Sequence, residues 1–143
     1  MKPLDDILAD GAQVVCRPLD RSIPFELSFV VEATIKTRHP DRDWPNSGLS
    51  PRQRGYRDET EAFVNEQHTV LATYVKAGQA PGTSVILGFA TETTGGVVTM
   101  VYVKRKQRGY GIGRLLIGPG ERACMKPNEC WRRWIAYHAA KAA

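Results

Sequence analysis

The segment "VVTMVYVKRKQRGYGIGRLLI" (97–117) constrains this chain more than any other. Residues 97–103 form a nearly continuous apolar run, rich in β-branched residues. It predicts a strand buried on both faces and therefore central in a sheet. Gly109, Gly111 and Gly113 then alternate before an apolar helix start. A strand, a glycine turn and a helix in that order aim free backbone N–H groups at one point, because the first four helical N–H groups have no internal partner. The helix dipole adds partial positive charge there. Glycines remove the Cβ atoms that would hold a phosphate away. The segment predicts an anion cradle, most naturally for a pyrophosphate. Lys104, Arg105, Lys106, Arg108 and Arg114 surround it with positive charge.

The remaining composition is that of a soluble domain. With 143 residues the chain fits a single domain, 1–143, with an N-terminal extension over 1–11. A net charge of +5 suits an anionic ligand without selecting one. The three cysteines (Cys16, Cys124, Cys130) and three histidines (His39, His68, His138) show no metal-ligand spacing. Reduced thiols in a cytoplasmic protein are the expectation. The acidic start "MKPLDDILADG" has no apolar core of a signal peptide. No apolar run approaches ~18 residues, so no membrane span is expected.

Hydrophobic periodicity orders the elements. "AQVVCRPL" (12–19) predicts a strand. Ile23, Leu27, Val30, Val31, Thr34 and Ile35 share one helical face over 22–37, with Ser22 as N-cap and Pro24 in the first turn. A loop over 38–49 follows. Ser50 and Gln53 read as a capping box for a second helix reaching about residue 65, with Pro51 at its first position and Tyr56, Phe63 and Val64 inward. Strands are expected at 69–76, 84–92 and 97–103, the last two joined by a hairpin turn at "TTGG". After the glycines, Pro119 and Gly120 should cut the helix short, and 127–143 reads as a final helix. The order is β-α-α-β-β-β-α-α, an α/β (α+β) domain around a mixed, mostly antiparallel sheet.

Known phosphate cradles can be compared by spacing. A Walker loop (GxxxxGK[ST]) is missing, and Arg114 stands where a dinucleotide fingerprint needs its third glycine. Arg108-x-x-Gly111-x-Gly113 satisfies R/Q-x-x-G-x-G/A. With the strand before it and the upstream element order, the segment "VYVKRKQRGYGIGRLLI" (101–117) resembles the GNAT superfamily of N-acetyltransferases, and the short chain looks like phage-encoded members. The specific match covers 101–117; the looser topological match covers 12–117.

The resemblance implies acetyl-CoA as cofactor. Its pyrophosphate would rest on N–H groups from Arg108 through Gly109, Gly111, Ile112 and Gly113, with Arg114 beside it. Its pantetheine arm would pair with backbone of Val101 and Val103, and one of those N–H groups would polarise the thioester carbonyl. The acceptor would be a primary amine on a small molecule, a protein or a modified nucleobase. The loop 38–49, with Arg38, Arg42, Asp43 and Trp44, would wall its site, beside a basic cluster of Arg52, Arg54 and Arg57. The catalytic candidates are Glu92, expected to face Val97 across the hairpin, and Tyr102, between the two valines. Tyr137 is the tail's tyrosine, and its spacing fits packing better.

The chain departs from the family after its glycine helix, where no clear strand follows. A degenerate domain with an interaction role is therefore the second reading, with Trp131 and Trp134 on a tail helix that would pair two copies. A nucleic-acid module is the third. "RGYG" (108–111) opens like the RNP1 motif of RNA-recognition domains, but the following stacking aromatics are lost and the segment reads as helix.

Overall fold

A computed structural model describes residues 1–9, 11–38, 51–79, 85–118 and 123–125, together with 132, 133, 136, 137, 140 and 141. Four strands pair antiparallel in chain order: β1 (Gln13–Pro18), β2 (His68–Val75), β3 (Val85–Glu92) and β4 (Val98–Val103). Between β1 and β2 the chain makes α1 (Pro24–Arg38) and α2 (Pro51–Asn65); after β4 comes the short α3 (Ile112–Ile117). The fold is α+β, with helices on both faces of the sheet.

Strand register explains how α1 sits. Arg17, Leu71, Phe89 and Tyr102 are successive partners across all four strands. α1 crosses above this row. Glu26, fully buried, receives both terminal nitrogens of Arg17 at 2.8 and 3.0 Å. One turn later, Phe29 meets the rings of Phe89 and Tyr102, each with centroids 6.1 Å away. Val30, Val31 and Ile35 fill the space to Leu71, Ile86 and Met100, and Phe63 and Val64 of α2 complete this core. Thr34 is buried on the same stripe because its hydroxyl donates to the Val30 carbonyl at 2.7 Å. Arg21 donates to the carbonyls of Val64, Asn65 and Gln67, tying the end of α2 to the start of β2.

The opposite face is covered by α3 and by the N-terminal residues. Ile112 and Leu116 pack with Ala72, Leu87 and Ala90, and Leu4, Ile7 and Val103 close around them. Leu4–Ile7 is a single 3-10 turn, so the expected extension belongs to the fold.

Three expectations change. β4 is the end strand of the four-stranded sheet rather than a central one. Its first half, Val98–Met100, is buried; Val101 is exposed. Secondly, pairing does resume after α3: Val98 and Cys124 form a parallel bridge, with Val98 N–H donating to Ala123 and Met125 N–H donating to Val98, both at 2.8 Å. That pairing covers the outer edge of β4 at Val98. Thirdly, helix α1 begins at Pro24, and Ser22 does not cap it; its hydroxyl donates to the Asp20 carboxylate at 2.6 Å. The loop 39–50 with Trp44, the residues Pro119 and Gly120, and Trp131, Trp134 and His138 of the tail lie outside the described residues.

Candidate functional site

The site is built on the outer edge of β4. Backbone groups alternate sides along a strand. The Lys104 N–H donates to Leu87 of β3 at 2.8 Å, so Tyr102 and Met100 also turn their backbone toward β3. Val101 and Val103 therefore turn theirs outward. A bulge between Thr91 and Glu92 resets this alternation, so Val98 faces outward as well and can take its bridge. Among the described residues, pairing on this side is confined to Ala123–Met125. From Val98 to Val101 the edge advances about 10 Å, leaving a stretch of strand edge that ends in the glycine turn. The Val103 carbonyl on that edge accepts the Arg108 Nε–H at 2.8 Å.

Gly88 makes this edge what it is. A Cβ there would overlap the Tyr102 carbonyl oxygen and stand 3.0 Å from Val103 Cα. β3 and β4 approach closely just where the outward valines lie.

The turn itself follows from two left-handed residues. Arg105–Gln107 makes a 3-10 turn, Gly109 has φ +89° and Gly111 has φ +81°. L side chains rarely adopt that conformation, which accounts for both glycines without any ligand. Gly113 differs: it lies inside α3, and a Cβ there would sit 3.6 Å from Val101 Cγ1. The Leu115 N–H makes the first α-helical bond, to Gly111. The N–H groups of Ile112, Gly113 and Arg114 thus have no carbonyl four residues back within α3. Arg108 N–H already donates to Arg105, so the cradle begins at Gly109.

The structure places the two catalytic candidates apart. Tyr102 lies on the α1 side of β4, half-buried, stacked on Phe89 at 5.5 Å, with the Arg108 guanidinium 5.9 Å from its ring. Glu92 pairs with Val98, and Thr93 is the residue bonded to Val97. Glu92 lines a small pocket on the α3 side with Val70, Leu116 and Ile117, at the far end of β4 from the glycine turn. Arg57 of the basic cluster contacts Glu32 at 3.4 Å. A cleft of 260 Å³ between α1 and α2 is lined by Arg21, Leu27, Ser28, Val31, Arg57 and Glu61.

Composition alone does not reveal the N-terminal contact. The Lys2 N–H donates to the Gly109 carbonyl at 2.7 Å, and its ammonium lies 4.9 Å from the centre of the Tyr110 ring. Leu4 and Ile7, three apart in an acidic stretch, were the signal that this segment packs.

The described residues contain no group of three His, Cys, Asp or Glu side chains able to hold a metal ion, and no helix long and apolar enough to cross a membrane. Residues 108–111 form a turn and 112–117 a helix, so the RNP1-like stretch is not the strand that base stacking needs. Comparison with protein-family models, curated proteins and solved structures finds no match.

Proposed function

We propose that the chain is an acetyl-CoA-dependent N-acetyltransferase with a GNAT-like domain, acting on a primary amine. One observation carries this reading: among the described residues, β4 is paired on its outer side at Val98 and leaves the outward backbone of Val101 and the outward N–H of Val103 without a strand partner, just before Arg108-x-x-Gly111-x-Gly113. A strand edge closed at one end and open at the other is a slot for an extended chain bearing amides. The basic turn at its mouth suits that chain's phosphates.

The residues present fit such a cofactor. Val101 offers its outward N–H and C=O, and Val103 its outward N–H, to pantetheine amides; the Val103 carbonyl is held by Arg108. Gly109 through Arg114 offer backbone N–H groups and positive charge to a pyrophosphate. When bound, acetyl-CoA supplies an activated acyl group. The Val101 N–H stabilises negative charge developing on the acyl oxygen. The amine must first lose a proton, which for a lysine-like group at neutral pH costs about 4–5 kcal/mol. Tyr102, on the α1 side between the two valines, is the proton-handling group we assign nearest the slot. Glu92, at the Val98 end, is the second candidate. The acceptor enters from the α1–α2 side.

The test is acetyl-CoA titration calorimetry on wild type and Gly113→Asp. Aspartate is favourable in the first turn of a helix, and position 113 carries no left-handed strain. The variant should fold and lose binding at least tenfold. A folded wild type that binds no acetyl-CoA would overturn the proposal. Binding without turnover on any amine would favour the degenerate-domain reading.

A further inference from the structure

The N-terminal arm lies on the glycine turn. Met1 Sδ stands 2.9 Å from the position a Gly111 Cβ would take, and Met1 Cε 3.6 Å from it. The thioether thus fills the space that the missing side chain leaves. Lys2 bonds the Gly109 carbonyl through its backbone N–H at 2.7 Å, and its Cε lies 3.9 Å from the Cβ position of Gly109. The Lys2 ammonium covers the Tyr110 ring between these two glycines. The arm is held in place from behind. Leu4 and Ile7 pack against the Ile112–Leu116 cluster, and the Ala9 N–H donates to the Tyr74 hydroxyl at 3.2 Å. These anchors fix residues 4–9, whereas residues 1–3 touch the turn through one backbone hydrogen bond and the flexible side chains of Met1 and Lys2.

We infer that residues 1–3 are a displaceable strap over the glycine turn, competing with the phosphates of a coenzyme A-type ligand for the same bare backbone. The inference rests on the cofactor reading above. Both glycines that the strap covers are those whose Cβ-free surface a phosphate would use. An undocked strap exposes them, while the Leu4 and Ile7 anchors keep the arm beside the site. Free protein then divides between a strapped and an open form, and only the open form binds. Apparent affinity is reduced by the open fraction.

The test compares the wild-type chain with a triple variant, Met1→Gly, Lys2→Pro and Pro3→Lys, both released from a cleavable tag. The variant loses the thioether and the N–H donor but keeps the arm's charge and its anchors. Acetyl-CoA and free coenzyme A are titrated by calorimetry. In parallel, ¹³C-methyl NMR follows Met1, resolved from Met100 and Met125. The expected result is about three- to tenfold tighter binding by the variant, with the wild-type Met1 methyl moving to its random-coil position as ligand saturates. Equal or weaker binding by the variant, with the Met1 signal unmoved, overturns the strap and leaves the cofactor reading standing. No binding by either protein overturns both.

Discussion

Gly111 and Gly113 stand two residues apart and should respond oppositely to the same substitution. At Gly111 the backbone is left-handed, φ +81° and ψ 11°, and alanine there pays a steric penalty of about 1–2 kcal/mol. The added Cβ would lie 2.9 Å from Met1 Sδ, but that atom ends a flexible side chain and can swing aside. Backbone strain therefore sets the cost. At Gly113 the backbone is helical and the new methyl would sit 3.6 Å from Val101 Cγ1, an ordinary contact. Alanine there gains about 0.5–1 kcal/mol from reduced unfolded-state freedom and helix propensity. For 143 residues, a change of 1 kcal/mol moves the midpoint by roughly 3 °C. Gly113→Ala should melt some 2–3 °C above wild type and Gly111→Ala about 3–6 °C below it. Differential scanning calorimetry measures both. Equal shifts in the same direction would show that the turn does not carry its left-handed residue at 111. Gly113→Ala should also keep acetyl-CoA binding, since its motif position accepts alanine.

Other consequences follow from the packing. Glu26→Ala leaves Arg17 without its partner under α1; with Arg17 still 18% exposed, the cost falls at the low end of the range for broken buried pairs, about 3 kcal/mol. A loss below 1 kcal/mol in urea denaturation would contradict the bidentate pairing. Gly88→Ala should force β3 and β4 apart and cost about 3 kcal/mol, with loss of any ligand bound at the β4 edge; an unchanged midpoint would refute the close approach. Two hydrogen bonds from Ser22 hold the Asp20 carboxyl below its ordinary value of 3.8. The folded state therefore prefers the charged form. That contribution is complete above the ordinary value and is lost as pH falls through the lowered one. Asp20→Asn should flatten the acid limb of the stability curve below about pH 4, and an identical acid limb in wild type and variant would contradict it.

The elements were largely legible because their signals are local. Apolar spacing at 27, 30, 31, 34 and 35 marks α1, and the β-branched runs mark β2, β3 and β4. Edge position was not legible. An apolar strand covered on both faces reads the same whether a full strand or three residues flank it, and here Ala123–Met125 supply the cover for Val98 alone. Glu26 was missed because a carboxylate on an apolar stripe is usually solvated; its partner comes from a strand nine residues earlier. In sequence, a glycine cluster ahead of a helix reads as room for phosphate. Gly109 and Gly111 are first required by their own backbone angles, so their presence says less about a ligand than Gly113 does. The Leu4–Ile7 spacing marks the N-terminal segment as one that packs, but its target, the glycine turn far along the chain, is set by long-range packing.

The slot and the cradle are both made of backbone groups, and amide NMR reads them one at a time. Acetyl-CoA should be titrated into ¹⁵N-labelled protein, with hydrogen exchange measured at saturation. The amides of Val101, Val103 and the 109–114 turn should shift and the outward valine amides gain protection, while Met100 and Tyr102, already bonded to β3, change little. Saturation that leaves Val101 and Val103 unmoved, or no binding at all, would contradict the proposed slot.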